Sequence, residues 1–341
     1  MRPTEGTKRL DILDYLRGFA LLGIILVNIL PLLAVKEPGF GTADASYQRF
    51  LFLFVEGRFY TLFSFLFGVG FYLFISRANA KGKNGYVLFL RRIAALFILG
   101  WFHVKFHPGE ALTVYAVTGL LLLVFYKVKK EINLVIGLIL LIVLSIMAFK
   151  LFMVVPLMLL GIAAGQYQLF DGVEKKINKV SIFTGLLLVV GIAGLVYQYQ
   201  YAPSSPFDLN NGVDEATYMF LSIGIMIGPL ITAVYVGVLI LLLRLPLIQK
   251  LLSPLKSYGR MALTNYIFQT VFIYLAGYLF NLFGSLTYLQ SLLVCLTIYI
   301  IQLIFSVIWL RFFQFGPLEW IWRVVTYLEV PPMRKVIKEV H

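Results

Sequence analysis

Charged residues are scarce in this sequence. Asp, Glu, Lys and Arg make up 13% of the 341 residues, and hydrophobic types make up 60%; a soluble domain carries about a quarter charged residues. So little polar surface cannot cover a water-exposed fold of this size, which excludes a soluble globular protein and makes lipid the solvent. Cysteine is almost absent. Cys295 stands alone inside an apolar run, which excludes an intramolecular disulfide and a cysteine-based metal cluster. The histidines are only His103, His107 and His341, too few for a His-rich site. No polar stretch exceeds about 30 residues, less than a domain needs, so no soluble domain is expected.

What fills the chain is apolar runs. They lie at roughly 16–35, 54–75, 86–106, 109–126, 132–149, 151–170, 180–199, 217–243, 262–283 and 286–310, and each is near the length that crosses a bilayer. The first run is preceded by basic residues and followed by Ala43-Asp44-Ala45, yet it is longer than a secretory apolar core of about 7–15 residues. It reads as a retained helix. The turn near 147–156, with Lys150 and Pro156, is tight, and Gly228-Pro229 inside the long run 217–243 predicts a kink or tilt.

Charge then orients the runs. With the N-terminus inside, all but five of the 29 lysines and arginines fall on the cytoplasmic side, from Arg2, Lys8, Arg9 and Arg17 through Arg334, Lys335 and Lys338. The outer side keeps Lys36, Arg49, Arg58, Lys105 and Lys150, and the longest outer loop, about 200–216, holds Asp208, Asp214 and Glu215 with no basic residue. That asymmetry predicts an all-α, polytopic protein of about ten spans with both termini cytoplasmic, residues 1–341 forming one transmembrane domain. Residues 311–341 include an amphipathic piece around Leu318–Tyr327, expected on the inner surface. The net charge of +13 is absorbed by short loops facing anionic lipid headgroups, so nucleic acid is excluded as a partner.

Ionisable groups at membrane depth are costly and mark cavities or partners. Two clusters follow from the topology. The outer one holds Asn28, Glu56, Arg58, His103 and Glu110. The inner one holds Asp14, Arg17, Arg91, Arg92, Arg260, Asn265 and Gln269, with Gln302, Glu319 and Arg323 on the same side. His103 followed across a tight turn by Glu110 resembles a base and its orienting carboxylate. Asp14 and Arg17 share a helix face, which also suits a plain interfacial anchor.

Several segments carry a family resemblance. LDILDYLRGFALLGIILVN at 10–28, EGRFYTLFSFLFGVGF at 56–71, RRIAALFILGWFH at 91–103 and GEALTVYAVTGLLLL at 109–123 resemble the first four helices of the YeiB-like membrane proteins (domain of unknown function 418). LMLLGIAAG at 157–165, YGRMALTNYIFQ at 258–269 and FGPLEWIWRVVTY at 315–327 are similar to that family's later blocks. The family is grouped with transmembrane acyltransferases, including the lysosomal heparan-α-glucosaminide N-acetyltransferase. The resemblance therefore implies transfer of an acyl group from a cytoplasmic acyl-CoA, acetyl-CoA foremost, to an acceptor on the outer side, without a metal. Under it, Arg91, Arg92 and Arg260 would hold CoA phosphates, with Asp14, Arg17, Asn265 and Gln269 beside them and Glu56 and Arg58 on the acceptor side. His103 would act as base or transient acyl acceptor, Glu110 as its orienter and Asn28 as oxyanion donor.

A transporter or lipid flippase also needs polar groups at depth, and a non-catalytic partner subunit needs neither cluster. These readings stay open at the level of sequence. The expected setting is the plasma membrane, with the lipid bilayer and an acyl acceptor as partners and a homodimer as the oligomeric form.

Overall fold

Lipid offers a backbone no hydrogen-bond partners, so a spanning segment must satisfy its own, and a helix does. The computed structural model describes residues 5–203 and 214–335; Arg2, Asp208, Lys338 and His341 lie outside the described residues. Among the described residues the regular secondary structure is helical, apart from one isolated antiparallel bridge, Phe313 to Arg334. The helices are α1 (Glu5–Leu32), α2 (Ala43–Phe54), α3 (Arg58–Ala80), α4 (Gly85–His103), α5 (Leu112–Leu121), α6 (Lys130–Ile146) and α7 (Val154–Gln166). They continue with α8 (Ile177–Gln200), α9 (Glu215–Leu242), α10 (Pro246–Leu251), α11 (Ser253–Arg260), α12 (Ala262–Phe280), α13 (Tyr288–Phe312) and α14 (Pro317–Tyr327).

Each of the ten apolar runs corresponds to a helix, but the helices are unequal. Among the described residues, seven stretches are long and apolar enough to cross a membrane: Asp11–Leu32, Ala43–Ala80, Gly85–His103, Val173–Gln200, Glu215–Leu242, Ala262–Phe280 and Tyr288–Phe312. The segments Leu112–Lys127 and Val154–Gln166 are apolar but shorter, and α6 has 17 residues. Helix α9, at 28 residues, is about 42 Å long, more than a straight crossing, and carries Pro229 inside it.

Polar side chains start these helices where the sequence supplies a cap. Asn84 accepts from the Val87 N–H at 3.2 Å, Asp214 from Thr217 at 2.8 Å, and Thr287 with Gln290 forms a reciprocal capping box at α13. Two segments read as loops are helical. Residues 36–49 contain the start of α2, whose Asp44 accepts from the Leu289 N–H at 2.7 Å, tying it to α13. Residues 244–260 fold into α10 and α11. Neither shows in the sequence as a helix, because polar residues there interrupt the apolar pattern that marks a span.

Helix α7 is short because protein, not lipid, surrounds it; it is buried along most of its length. Its packing on α3 depends on small residues. A Cβ on Gly161 would lie 2.2 Å from the Phe65 carbonyl oxygen, and one on Gly68 would lie 2.0 Å from that of Met158. Only glycine lets the two backbones meet so closely. Helix α11 meets α1 the same way, since a Cβ on Gly259 would lie 1.8 Å from the Asp14 carbonyl oxygen. The Tyr258 hydroxyl of α11 donates to Gln302 Oε1 at 2.9 Å and accepts from Gln269 Nε2 at 2.8 Å. Asn265 donates to the Tyr258 carbonyl at 2.9 Å and to Ser306 Oγ at 3.0 Å. This satisfied buried network ties α11, α12 and α13 together.

Candidate functional site: a polar-ended slot along the helices

A cavity of about 1040 Å³ runs between the helices. It touches α1 from Leu13 to Asn28 and α3 from Phe59 to Ala78. The nineteen steps from Phe59 to Ala78, at 1.5 Å each, make the lined length about 28 Å, close to the thickness of a hydrocarbon core. The space is an elongated slot that follows the helices. Its middle is walled by aromatic rings, among them Phe63, Phe67, Phe71, Phe89, Tyr115 and Tyr266.

One end, the inner end in the orientation that the charge pattern predicts, is cationic. Arg17, Arg77, Lys81, Lys83, Arg92, Arg260 and Arg323 line it, against the acids Glu319 and Glu329. Three of the cations have acidic or carbonyl partners: Arg17 pairs with Asp14 at 3.0 Å, Lys83 with Glu329 at 3.4 Å, and Arg260 donates to the Gln314 carbonyl at 3.4 Å. Arg92 and Arg323 are held on ring faces instead. The Arg92 guanidinium lies 3.5 Å from the Trp322 ring centroid and 4.9 Å from that of Phe74. Arg323 lies 4.9 Å from Phe315 and 5.0 Å from Tyr327. Stacking fixes a guanidinium while leaving its N–H edge free for an anion.

Glu319 has a different task. Its carboxylate accepts from the backbone N–H groups of Leu263 (2.7 Å) and Thr264 (3.0 Å) and from the Thr264 hydroxyl (2.5 Å). It thus caps the N-terminus of α12 from α14. Burial raises its carboxyl above the usual range, and those hydrogen bonds only partly offset that effect.

At the outer end, Asn28, Glu56, Gly109, Ala111 and Lys150 line the slot. The Asn28 amide makes no hydrogen bond among the described residues. Glu56 and Lys150 form a close ion pair that joins the α2–α3 junction to the turn between α6 and α7. Arg58 turns away from the slot. It is buried, with Nη1 donating to the Glu56 carbonyl at 2.6 Å and Nη2 to Gln198 Oε1 at 3.2 Å.

The expected base and its orienter do come together, one step behind the wall. His103 Nδ1 lies 3.8 Å from Glu110 Oε2, beyond hydrogen-bond range, and Nδ1 is buried without a partner. Neither side chain lines the slot; the Tyr266 ring, 5.3 Å from the His103 ring, stands on that wall. Glu110 caps α5, accepting from the N–H groups of Leu112 (2.6 Å) and Thr113 (2.8 Å) and from the Thr113 hydroxyl. Burial pushes its carboxyl up, but these bonds and His103 outweigh burial and hold it below the usual range. His103 Nε2 and His107 Nδ1 both lie 3.0 Å from Thr270 Oγ1. One hydroxyl has one proton, so Thr270 donates to at most one ring, and at least one ring donates its N–H to the hydroxyl oxygen. Burial, with His103 alongside, lowers His107 to about 4.

Of the residues singled out by sequence, then, Asn28, Glu56, Arg17, Arg92, Arg260, Glu319 and Arg323 line one cavity. Asn265 and Gln269 belong to the packing network, Arg58 to a buried bracket, and Asp14 is the buried partner of Arg17; none of these four, nor Arg91, touches the cavity with its companions. Sequence reasoning missed the role of Lys150, Trp322 and the aromatic wall. A lone lysine on an outer side poor in basic residues was the available signal for the first. The wall had none, since aromatic residues are frequent throughout the chain.

A chain whose described residues include seven helical stretches long and apolar enough to cross a membrane, four of which line the slot, is a multi-pass membrane protein. Residues 164–329 match the family model described as Protein of unknown function (DUF418). The chain is 58% identical, over 96% of its own length and 96% of the other, to the uncharacterized 39.9 kDa protein in the amylase 3′ region of Bacillus acidopullulyticus. It is 28% identical to the uncharacterized protein YxaH of Bacillus subtilis (strain 168), over 99% of both chains. To the uncharacterized protein YeiB of Escherichia coli (strain K12) it is 27% identical, over 94% of this chain and 97% of that one. The chain belongs to this YeiB-like family. No solved structure matches it.

Proposed function

We propose that the protein is a transmembrane acyltransferase of the plasma membrane, moving an acyl group from cytoplasmic acyl-CoA to an acceptor on the outer side. The observation that carries this reading is the slot itself: cationic at the inner end, aromatic in the middle, polar again at the outer end. A CoA thioester has the matching order of parts. Its phosphates suit Arg92, Arg260 and Arg323, its pantetheine arm suits an elongated lined passage, and its thioester would reach the end where Asn28 waits with an unused amide. In this reading the chain crosses the membrane ten times with both termini inside, α5, α6 and α7 included, and α14 lies at the cytoplasmic face. His103 and Glu110 act through Tyr266 and Ala111, whose N–H donates to the Tyr266 hydroxyl at 3.3 Å.

The test is binding of acetyl-CoA to the purified protein in lipid nanodiscs. The expected result is saturable binding that competes with free CoA and is weakened by Arg92→Gln and Arg323→Gln. A protein that binds no acetyl-CoA, CoA or longer acyl-CoA overturns the reading. A passage this long also suits a transporter of an anionic amphiphile, and that becomes the better account if acyl-CoA fails while a chain-bearing phosphate binds.

A further inference from the structure

Among the described residues the slot's outer end contains one carboxylate, and it is not the one that sequence favoured. Glu56 lines the cavity along with Asn28, whereas Glu110 is consumed in capping α5 and His103 stands behind Tyr266. Lys150 approaches Glu56 from the turn between α6 and α7, and it too lines the slot. The pair is not sealed in the protein, since the Lys150 and Glu56 side chains are 40% and 29% exposed. An ion pair with that much exposure is weak, so an incoming group can separate it easily. The other cation beside Glu56, Arg58, is committed to the Glu56 carbonyl oxygen and to Gln198.

We propose that Glu56 is the catalytic base of the acyl transfer and that Lys150 is its latch. This rests on the acyltransferase reading above. In the resting chain the ammonium occupies the carboxylate and closes the outer end. An acceptor bearing a hydroxyl or amine displaces Lys150, and a carboxylate freed from an ammonium is a stronger base. Glu56 then takes the acceptor's proton as its oxygen or nitrogen bonds to the thioester carbonyl carbon. The carbonyl π electrons move onto oxygen, where the Asn28 amide donates a hydrogen bond. Collapse of that intermediate breaks the carbon–sulfur bond, and the leaving CoA thiolate takes the proton back from Glu56. The products are acylated acceptor and CoA thiol, with the carboxylate regenerated.

Water can stand in for the unidentified acceptor, so the readout is CoA thiol released from acetyl-CoA by the protein in nanodiscs, with acetyl-CoA binding measured in parallel. The expected pattern has three parts. Glu56→Gln binds acetyl-CoA as the wild type does and loses thiol release at least about 100-fold, in line with the loss of a general base. Glu56→Asp keeps a measurable part of the activity. Lys150→Met raises thiol release above wild type, because the carboxylate is unlatched. Wild-type rates in Glu56→Gln would remove it as base, and loss in Lys150→Met as deep as in Glu56→Gln would reduce the pair to a strut between two turns. If the wild type neither binds acetyl-CoA nor releases thiol, the acyltransferase reading fails instead, and the two failures are distinct.

Discussion

Arg92 and Trp322 hold each other twice: the guanidinium lies over the indole at 3.5 Å, and the indole N–H donates to the Arg92 carbonyl oxygen at 2.7 Å. The pair fastens α14 to α4 and presents a guanidinium edge to the inner end of the slot. Arg91, its neighbour, is one helical step round and does not line it. Arg92→Gln should therefore weaken acetyl-CoA binding by about 1.5–3 kcal/mol, the loss of a charge-assisted hydrogen bond. Arg91→Gln should weaken it much less. Equilibrium binding in nanodiscs separates the two, and equal losses would assign both to headgroup contacts.

The close approach of α3 and α7 gives a stability prediction with its own control. Gly161→Ala pushes a methyl to 2.2 Å from the Phe65 carbonyl oxygen, where backbone must shift. It should cost about 1–3 kcal/mol, the usual range for overpacking. Gly185 in α8 has open space around it, so Gly185→Ala should be neutral or stabilising, by up to about 1 kcal/mol from helix propensity. Thermal unfolding in one detergent checks both.

His107 predicts a pH dependence. Its folded value, about 4, lies below the ordinary 6.5 because burial penalises the charged ring. Between those values the unfolded chain binds the extra proton, so stability falls as pH is lowered from about 6.5 to about 4 and is fully present above 6.5. The Glu110 carboxyl, held below its ordinary 4.5, adds a loss only at more acid pH. His107→Gln should flatten the slope of the unfolding midpoint between pH 4 and 6.5. An unchanged slope would place the titration elsewhere.

Topology is checked by cysteine labelling. In a Cys295→Ser background, a cysteine at position 205 should react with an impermeant maleimide in intact cells, and one at position 81 only after permeabilisation. The reverse pattern would invert the orientation inferred from charge.

Much of the architecture was legible without coordinates. Lipid forbids unsatisfied backbone, so each run of apolar residues had to be a helix, and every one of the ten runs is. The amphipathic segment at 318–327 was equally visible, because charged and aromatic residues alternate at helical spacing there, and α14 occupies it. The helices α2, α10 and α11 were not visible. Their stability comes from contacts made elsewhere, such as Asp44 with Leu289 and Tyr258 with Gln302 and Gln269.

The sequence by itself determined the solvent, the long apolar helices and which polar residues lie near helix ends. These depend on local composition and on the cost of polar groups in hydrocarbon. Only the tertiary structure decided which of those polar residues share a cavity. Glu56, Glu110 and Glu319 are alike in sequence terms, each a lone acid beside an apolar run. Packing made Glu110 a cap for its own helix, Glu319 a cap for a helix 55 residues away in the chain, and Glu56 the carboxylate that faces the slot. That division depends on which backbone N–H groups or cations the fold brings within about 3 Å of each carboxylate, and no spacing along the chain encodes it.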